Sequence, residues 1–219
     1  MTNFKQIAEI RKDAIQEATQ EPICSNIAPR EEIGEFYKNL LENLKIRLAE
    51  KGEEMILSES VKLVIGKLCL WHWNSDLFSG SNRIGILLRG SVGTGKTKIM
   101  QAYIDTIWQK QMLKLNMIHA LDLQNMYAKS NEEMISFLKK CSLIIIDDVG
   151  CESTEVKYFG TSIEPFIDFF DWRYRNGKYT IITTNLTPEE LKSKYGIRTI
   201  DRFRESLNDM ILDGESFRK

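Results

Sequence analysis

The 219-residue sequence predicts an α/β fold: a parallel sheet with helices on both faces, preceded by a helical amino-terminal region. Three observations carry that reading. Short apolar runs at 84–88, 117–120, 143–146 and 180–183 are separated by segments of helix length, the pattern of strands joined in parallel by crossover helices. A glycine-rich loop of phosphate-binding type follows the first run directly. Ahead of Ser79-Gly80-Ser81-Asn82, a turn-forming stretch, the apolar spacing is helical, which divides the chain into a helical region, 1–80, and an α/β domain, 81–219.

Within the first region, Phe4, Ile7, Ala8, Ala14, Ile15 and Ala18 suggest an amphipathic helix ended near Glu21-Pro22. Ile33, Phe36, Tyr37, Leu40, Leu41, Leu44 and Leu48 follow the i, i+3, i+4, i+7 template of a second, and 58–73 is apolar enough for a third. The α/β domain then alternates strands with helices, the first helix starting near Lys98. Internal repeats and low-complexity tracts are absent from the sequence.

Composition bounds the function. With 30 Lys+Arg against 31 Asp+Glu and 42% hydrophobic residues, the chain is not of the disordered class. A net charge of -1 excludes nucleic-acid binding by overall cationic attraction, so such a contact must be local or shared among subunits. Residues 1–13 alternate charged and apolar side chains, unlike a secretory signal, and no run approaches the roughly 18 apolar residues of a membrane span. A cytoplasmic protein without a membrane segment is expected. Cys24, Cys69, Cys141 and Cys151 form no CxxC pair, which predicts reduced thiols rather than a zinc site. His72 and His119 have no recognisable partner in sequence, and Trp71, Trp73, Trp108 and Trp172 lie in apolar helical contexts and are expected in the core.

Gly90-Ser91-Val92-Gly93-Thr94-Gly95-Lys96-Thr97 fits G-x-x-x-x-G-K-[ST] between an apolar strand and a helix, the context of a P-loop NTPase. Glycines let backbone N–H groups curl around phosphates, Lys96 reaches the β- and γ-phosphates of ATP, and the Thr97 hydroxyl is a ligand for Mg²⁺. The run 143–148 is an apolar strand ending in Asp147-Asp148. Behind a phosphate loop, Asp147 stands where a Mg²⁺-organising carboxylate is needed, and Asp148 is placed to orient or deprotonate the attacking water. The run 180–184 ends in Asn185 at the same sheet edge, where it can hold that water; turn formation before Pro188 is the competing explanation.

These stations, GSVGTGKT, LIIIDD and TIITTN, followed by LTPEEL and DRFRE, resemble the AAA+ ATPases of the DnaC/IstB group, bacterial replicative-helicase loaders and transposition helpers. The resemblance covers about residue 83 to 219. It implies catalytic roles for Asp148 and Asn185 and an arginine acting across a subunit interface, with Arg202 first and Arg198 second; an ion-paired surface helix is the plainer reading. It also implies a second sensor arginine, Arg218. Only 17 residues follow Arg202, so no separate helical lid is expected, and Asp148 stands where many AAA+ enzymes carry Glu.

The resemblance further implies an ATP-dependent homo-oligomer whose 151–160 segment faces a pore. There Lys157, Tyr158 and Phe159 are candidates for contact with single-stranded DNA, against ordinary loop packing. The first partner implied is a replicative helicase, bound by residues 1–80. The alternatives are a transposition helper, with duplex DNA and a transposase, and an ATP-dependent scaffold with negligible turnover, for which the shorter Asp148 side chain speaks.

Overall fold

A computed structural model describes residues 29–54, 57–158 and 160–214. The amphipathic segment between Phe4 and Ala18, Cys24, Phe159 and Arg218 therefore lie outside the described residues. Two helices come first: α1 (Arg30–Ala49) and α2 (Glu59–His72), the latter capped by Ser58, whose hydroxyl accepts from the Val61 amide. The α/β part follows as β1 (Gly85–Arg89), α3 (Lys96–Gln111), β2 (Asn116–His119), α4 (Ala120–Ala128), α5 (Glu132–Lys140) and β3 (Leu143–Val149). It continues with β4 (Val156–Tyr158), β5 (Thr161–Ile163), α6 (Pro165–Arg175), β6 (Tyr179–Thr184), α7 (Pro188–Ser206) and β7 (Leu207–Ile211).

Five strands form a parallel sheet in the order β2-β3-β6-β1-β7. Successive side chains on a strand face opposite sides. Ile86, Leu88, Ile145 and Ile181 accordingly enter one core with α1, α2 and α3. Leu87, Ile144, Ile146 and Ile182 enter a second core with α4 to α7. Both faces are covered, which is why the strands read as unbroken apolar runs rather than as an alternation.

Residues from Arg30 to the first strand do not stand apart from the sheet. Phe36, Leu40, Leu44 and Leu48, spaced four apart along α1, are at most 1% exposed and share a core with Ile99, Tyr103 and Ile107 of α3. Polar contacts fix the same pairing. Arg47 donates two bonds of 2.7 Å to the Asp105 carboxylate, and the Asn43 amide bonds Thr106 and Gln109. The boundary drawn at residue 80 therefore marks a change of pattern, and the hydrophobic core crosses it.

Four features were not foreseen. The helix after the phosphate loop begins at Lys96, two residues earlier than expected. A fifth strand, β7, pairs with β1 at the sheet edge, and β4 and β5 form an antiparallel hairpin in a segment read as a loop. Trp71 is fully buried, but Trp108 is 41% exposed, with the Lys114 ammonium 5.8 Å from its ring centroid, so it is not a core residue.

Arg173 is a fully buried guanidinium that holds the end of α5 to the start of β6. It donates to the carbonyls of Leu138, Lys139 and Cys141 at 2.8–3.1 Å, to Tyr179 O, and to the Thr180 hydroxyl at 3.0 Å. Three of those carbonyls lie at the carboxyl end of α5, where a helix leaves acceptors unpaired. Burial pulls its pKa down to about 10, so it keeps its charge at neutral pH. Arg173→Met is expected to lower stability by about 3 kcal/mol because it strands those carbonyls. Urea denaturation checks this; an unchanged midpoint would contradict it.

Candidate nucleotide site

The phosphate loop leaves β1 at its carboxyl edge and turns into α3 through two left-handed glycines, Gly93 at φ 88° and Gly95 at φ 91°. That backbone region is one L side chains rarely adopt. Gly90 is required for another reason: a Cβ there would stand 2.2 Å from the Leu212 carbonyl, so the loop and the chain after β7 approach too closely for any side chain. Val92 at the tip is 66% exposed, while Thr94 is buried and its hydroxyl donates to Ser91 O at 2.9 Å. The Lys96 ammonium donates to the carbonyls of Gly90 and Ser91 at 2.7 and 2.8 Å, so the cation sits inside its own loop.

The Thr97 hydroxyl, at the first turn of α3, lies 3.0 and 3.1 Å from the two oxygens of Asp147. Thr183 of β6 donates to Asp147 Oδ1 at 2.6 Å, and its hydroxyl accepts from the Asp148 amide at 2.9 Å. Two adjacent residues on a regular strand point to opposite faces. Here the β3–β6 register shifts between Ile146 and Val149, and Asp148 has φ 56°. That bulge turns both carboxylates toward one edge. Asp147 is 4% exposed and meets the phosphate loop; Asp148 is partly exposed, and its Oδ1 accepts from the Asn185 amide at 2.6 Å.

A cavity of about 360 Å³ opens here, lined by residues including Gly93, Lys96, Thr97, Asp148 and Asn185. Lys51 and Glu53, just beyond α1, also line it. The site fits a nucleotide with Mg²⁺ by its donor chemistry. Thr97 and Asp147 offer neighbouring hard oxygens, Lys96 offers a positive charge, and the amino end of α3 lies behind the loop.

The turn after Asp148 is fastened to α7. Glu152, 3% exposed, accepts from the Gly150 amide at 2.9 Å and from the Tyr195 hydroxyl. Lys194 donates to the carbonyls of Gly150, at 2.8 Å, and Glu152. Burial first, then the Glu152 carboxylate, pushes the Tyr195 pKa up, so its hydroxyl stays a donor. At Gly150, φ 111°, a Cβ would meet Leu186 at 2.5 Å, so the fastening depends on glycine.

Other candidates lie elsewhere. Arg202, on α7, is 12% exposed in its side chain; it is ion-paired with Asp171 of α6 and lies over the Tyr174 ring at 5.5 Å. Arg198 is exposed on the same helix just past Gly196, where the helix is interrupted. Lys157 is exposed on β4, and Tyr158 ends that strand. Sequence reasoning missed Lys51, Glu53, Thr183 and the Glu152 network; only Thr183 carried a signal, by lying two residues before Asn185. It also missed His119, whose Nε2 stands 3.7 Å from Asp148 Oδ2 and whose Nδ1 is 3.9 Å from the Cys151 sulfur. His72 is buried, with its ring nitrogens on Tyr103 and Gln111; burial lowers its pKa to about 3, and it has no part in the site.

No family model matches the chain. Over 138 residues the sequence is 29% identical to the Chromosomal replication initiator protein DnaA of Treponema denticola, a match taking in 59% of this chain and 28% of that protein. The chain thus spans little more than a quarter of that relative's length. The crystal structure of the DnaC helicase loader superposes with a TM-score of 0.58 at 19% identity, over 81% of this chain and 98% of that one. Replication initiator DnaA bound to AMPPCP and single-stranded DNA gives 0.54 at 20% identity, over 74% and 49%. What the chain shares with these proteins is the fold. No helix among the described residues is long and apolar enough to cross a membrane.

Proposed function

From the AAA+ fold it shares with DnaC and DnaA, we propose that the chain is a Mg²⁺-dependent ATPase of DNA replication, a cytoplasmic helicase loader that engages a replicative helicase and single-stranded DNA. One observation carries the ATPase reading: two adjacent carboxylates have different partners, Asp147 with Thr97 and Asp148 with Asn185, at the mouth of a phosphate loop. Lys96 leaves its loop carbonyls for the β- and γ-phosphates, and Thr97 and Asp147 hold Mg²⁺. The bound ion supplies charge neutralisation on the phosphates. Asp148 accepts a proton from the attacking water, and Asn185 holds both the carboxylate and that water in line. Steady-state phosphate release with Mg²⁺-ATP, against a Lys96→Ala control, tests this reading; equal rates would leave only a nucleotide-binding scaffold.

Assembly follows from the same chemistry. An arginine from a second copy stabilises the transferred phosphoryl group, and Arg202 serves only after exchanging Asp171 for the phosphate; Arg198 needs no such exchange. Arg218 is assigned the second sensor role. Residues 1–80 bind the client.

The hairpin is the proposed DNA-binding element, through Lys157, Tyr158 and Phe159. One lysine on a chain of net charge -1 holds DNA weakly, so ATP-driven assembly must repeat the interaction. Lys157→Ala is expected to weaken ATP-dependent binding of a fluorescent single-stranded oligonucleotide about fivefold and to reduce the salt slope by about 0.7 for each phosphate that is no longer neutralised. Unchanged anisotropy titrations would remove the hairpin from the DNA path, and preferential competition by duplex DNA would favour a transposition helper.

A further inference from the structure

His119, Asp148 and Cys151 are brought together by the fold from the end of β2, the bulged end of β3 and the turn beyond it. One ring nitrogen, one carboxylate oxygen and one sulfur lie within 4.8 Å of one another. Donors that share a tetrahedral Zn²⁺ stand roughly 3.4 Å apart, given metal–ligand bonds of about 2.0–2.3 Å. His119 Nε2 stands 3.7 Å from Asp148 Oδ2 and the other ring nitrogen, Nδ1, stands 3.9 Å from the Cys151 sulfur; an ion takes one of the two nitrogens, and the three donors, already within 4.8 Å of one another, close on it by side-chain rotation. His119 and Asp148 are partly exposed and Cys151 is exposed, so both the rotations and the entry of an ion are open.

We propose that these three side chains form a binding site for a thiophilic divalent cation of the Zn²⁺ class at the rim of the nucleotide cavity. Mixed nitrogen, oxygen and sulfur donors suit Zn²⁺, whereas Mg²⁺ and Ca²⁺ take oxygen. Asp148 is shared without conflict: Oδ1 accepts from Asn185, and Oδ2 is the oxygen that faces His119. Binding replaces the Cys151 thiol proton, which goes to solvent, and an ion held on His119 Nδ1 displaces the Leu121 amide, which donates to that nitrogen at 3.2 Å. A carboxylate oxygen on a dication is a poorer base, so the bound ion arrests hydrolysis rather than assisting it. That inhibitory half rests on the ATPase reading above; the binding half does not.

Co²⁺ titrated into the full chain without nucleotide is the direct probe. A near-ultraviolet thiolate-to-Co²⁺ band saturating at one equivalent and displaced by Zn²⁺ is expected. Cys151→Ser loses the band, and His119→Gln weakens Co²⁺ binding at least about tenfold. With Mg²⁺-ATP present, Zn²⁺ lowers wild-type turnover, a chelator restores it, and Cys151→Ser keeps its turnover at the same free Zn²⁺. No band in the wild type, or the same band in Cys151→Ser, overturns the site. A normal band in a protein that turns over ATP no faster than Lys96→Ala removes the ATPase reading and leaves the site standing.

Discussion

Lys96→Ala is expected to weaken ATP binding about 100-fold, or about 2.7 kcal/mol, because two or more charge-assisted bonds to phosphate oxygens are lost together. The side chain is 6% exposed and its ammonium lies against Gly90 O and Ser91 O, so nothing else in the loop takes over its charge. The variant also strands those carbonyls, and a modest loss of thermal stability accompanies the loss of affinity. Titration with a fluorescent ATP analogue measures the first effect and thermal denaturation the second. An affinity within about threefold of wild type would contradict the assigned role, since one charged hydrogen bond is worth more than that.

Asp148→Asn is expected to lower kcat about 10²- to 10³-fold while leaving KM and the denaturation midpoint near their wild-type values. Asparagine tolerates the positive φ of 56° as well as aspartate does, and its oxygen still accepts from Asn185, so the bulge and the cavity persist. What the amide cannot do is take a proton from water. A rise in KM or a drop in stability without the loss of kcat would make Asp148 a structural residue.

Much of the fold was legible because its strands are buried on both faces. Ile144, Ile145 and Ile146 are all fully buried, and such continuous apolar runs between helix-length segments leave few alternatives to a covered parallel sheet. The phosphate loop was legible because its glycines answer to backbone conformation. Edge strand β7 was not: only Leu207 and Met210 of it are buried, and Asn208 and Asp209 dilute the pattern. It is held by the Arg89–Asp209 ion pair and by Asn208 bonds to the 81–85 segment, partners about 120 residues distant in the chain.

At the site, Asp147 and Asp148 were found as a pair, but the reason both serve one edge was not visible. The bulge depends on Thr183 and on the turn that Glu152, Lys194 and Tyr195 fasten to α7, none of which is marked by spacing. The meeting of His119 with Cys151 is likewise a product of β2 lying beside β3. Arg202 is the converse case: a motif names it, whereas its engagement with Asp171 and Tyr174 is a matter of how α6 packs on α7.

Hydrolysis of ATP in this cavity is proposed to run through Asp148. Single-turnover phosphate release from Mg²⁺-ATP, with protein in excess and single-stranded DNA present, compares the wild type with Asp148→Asn at saturating nucleotide. Nucleotide binding is expected to be normal in both, and release at least about 100-fold slower in the variant. Equal release rates with equal binding would contradict it.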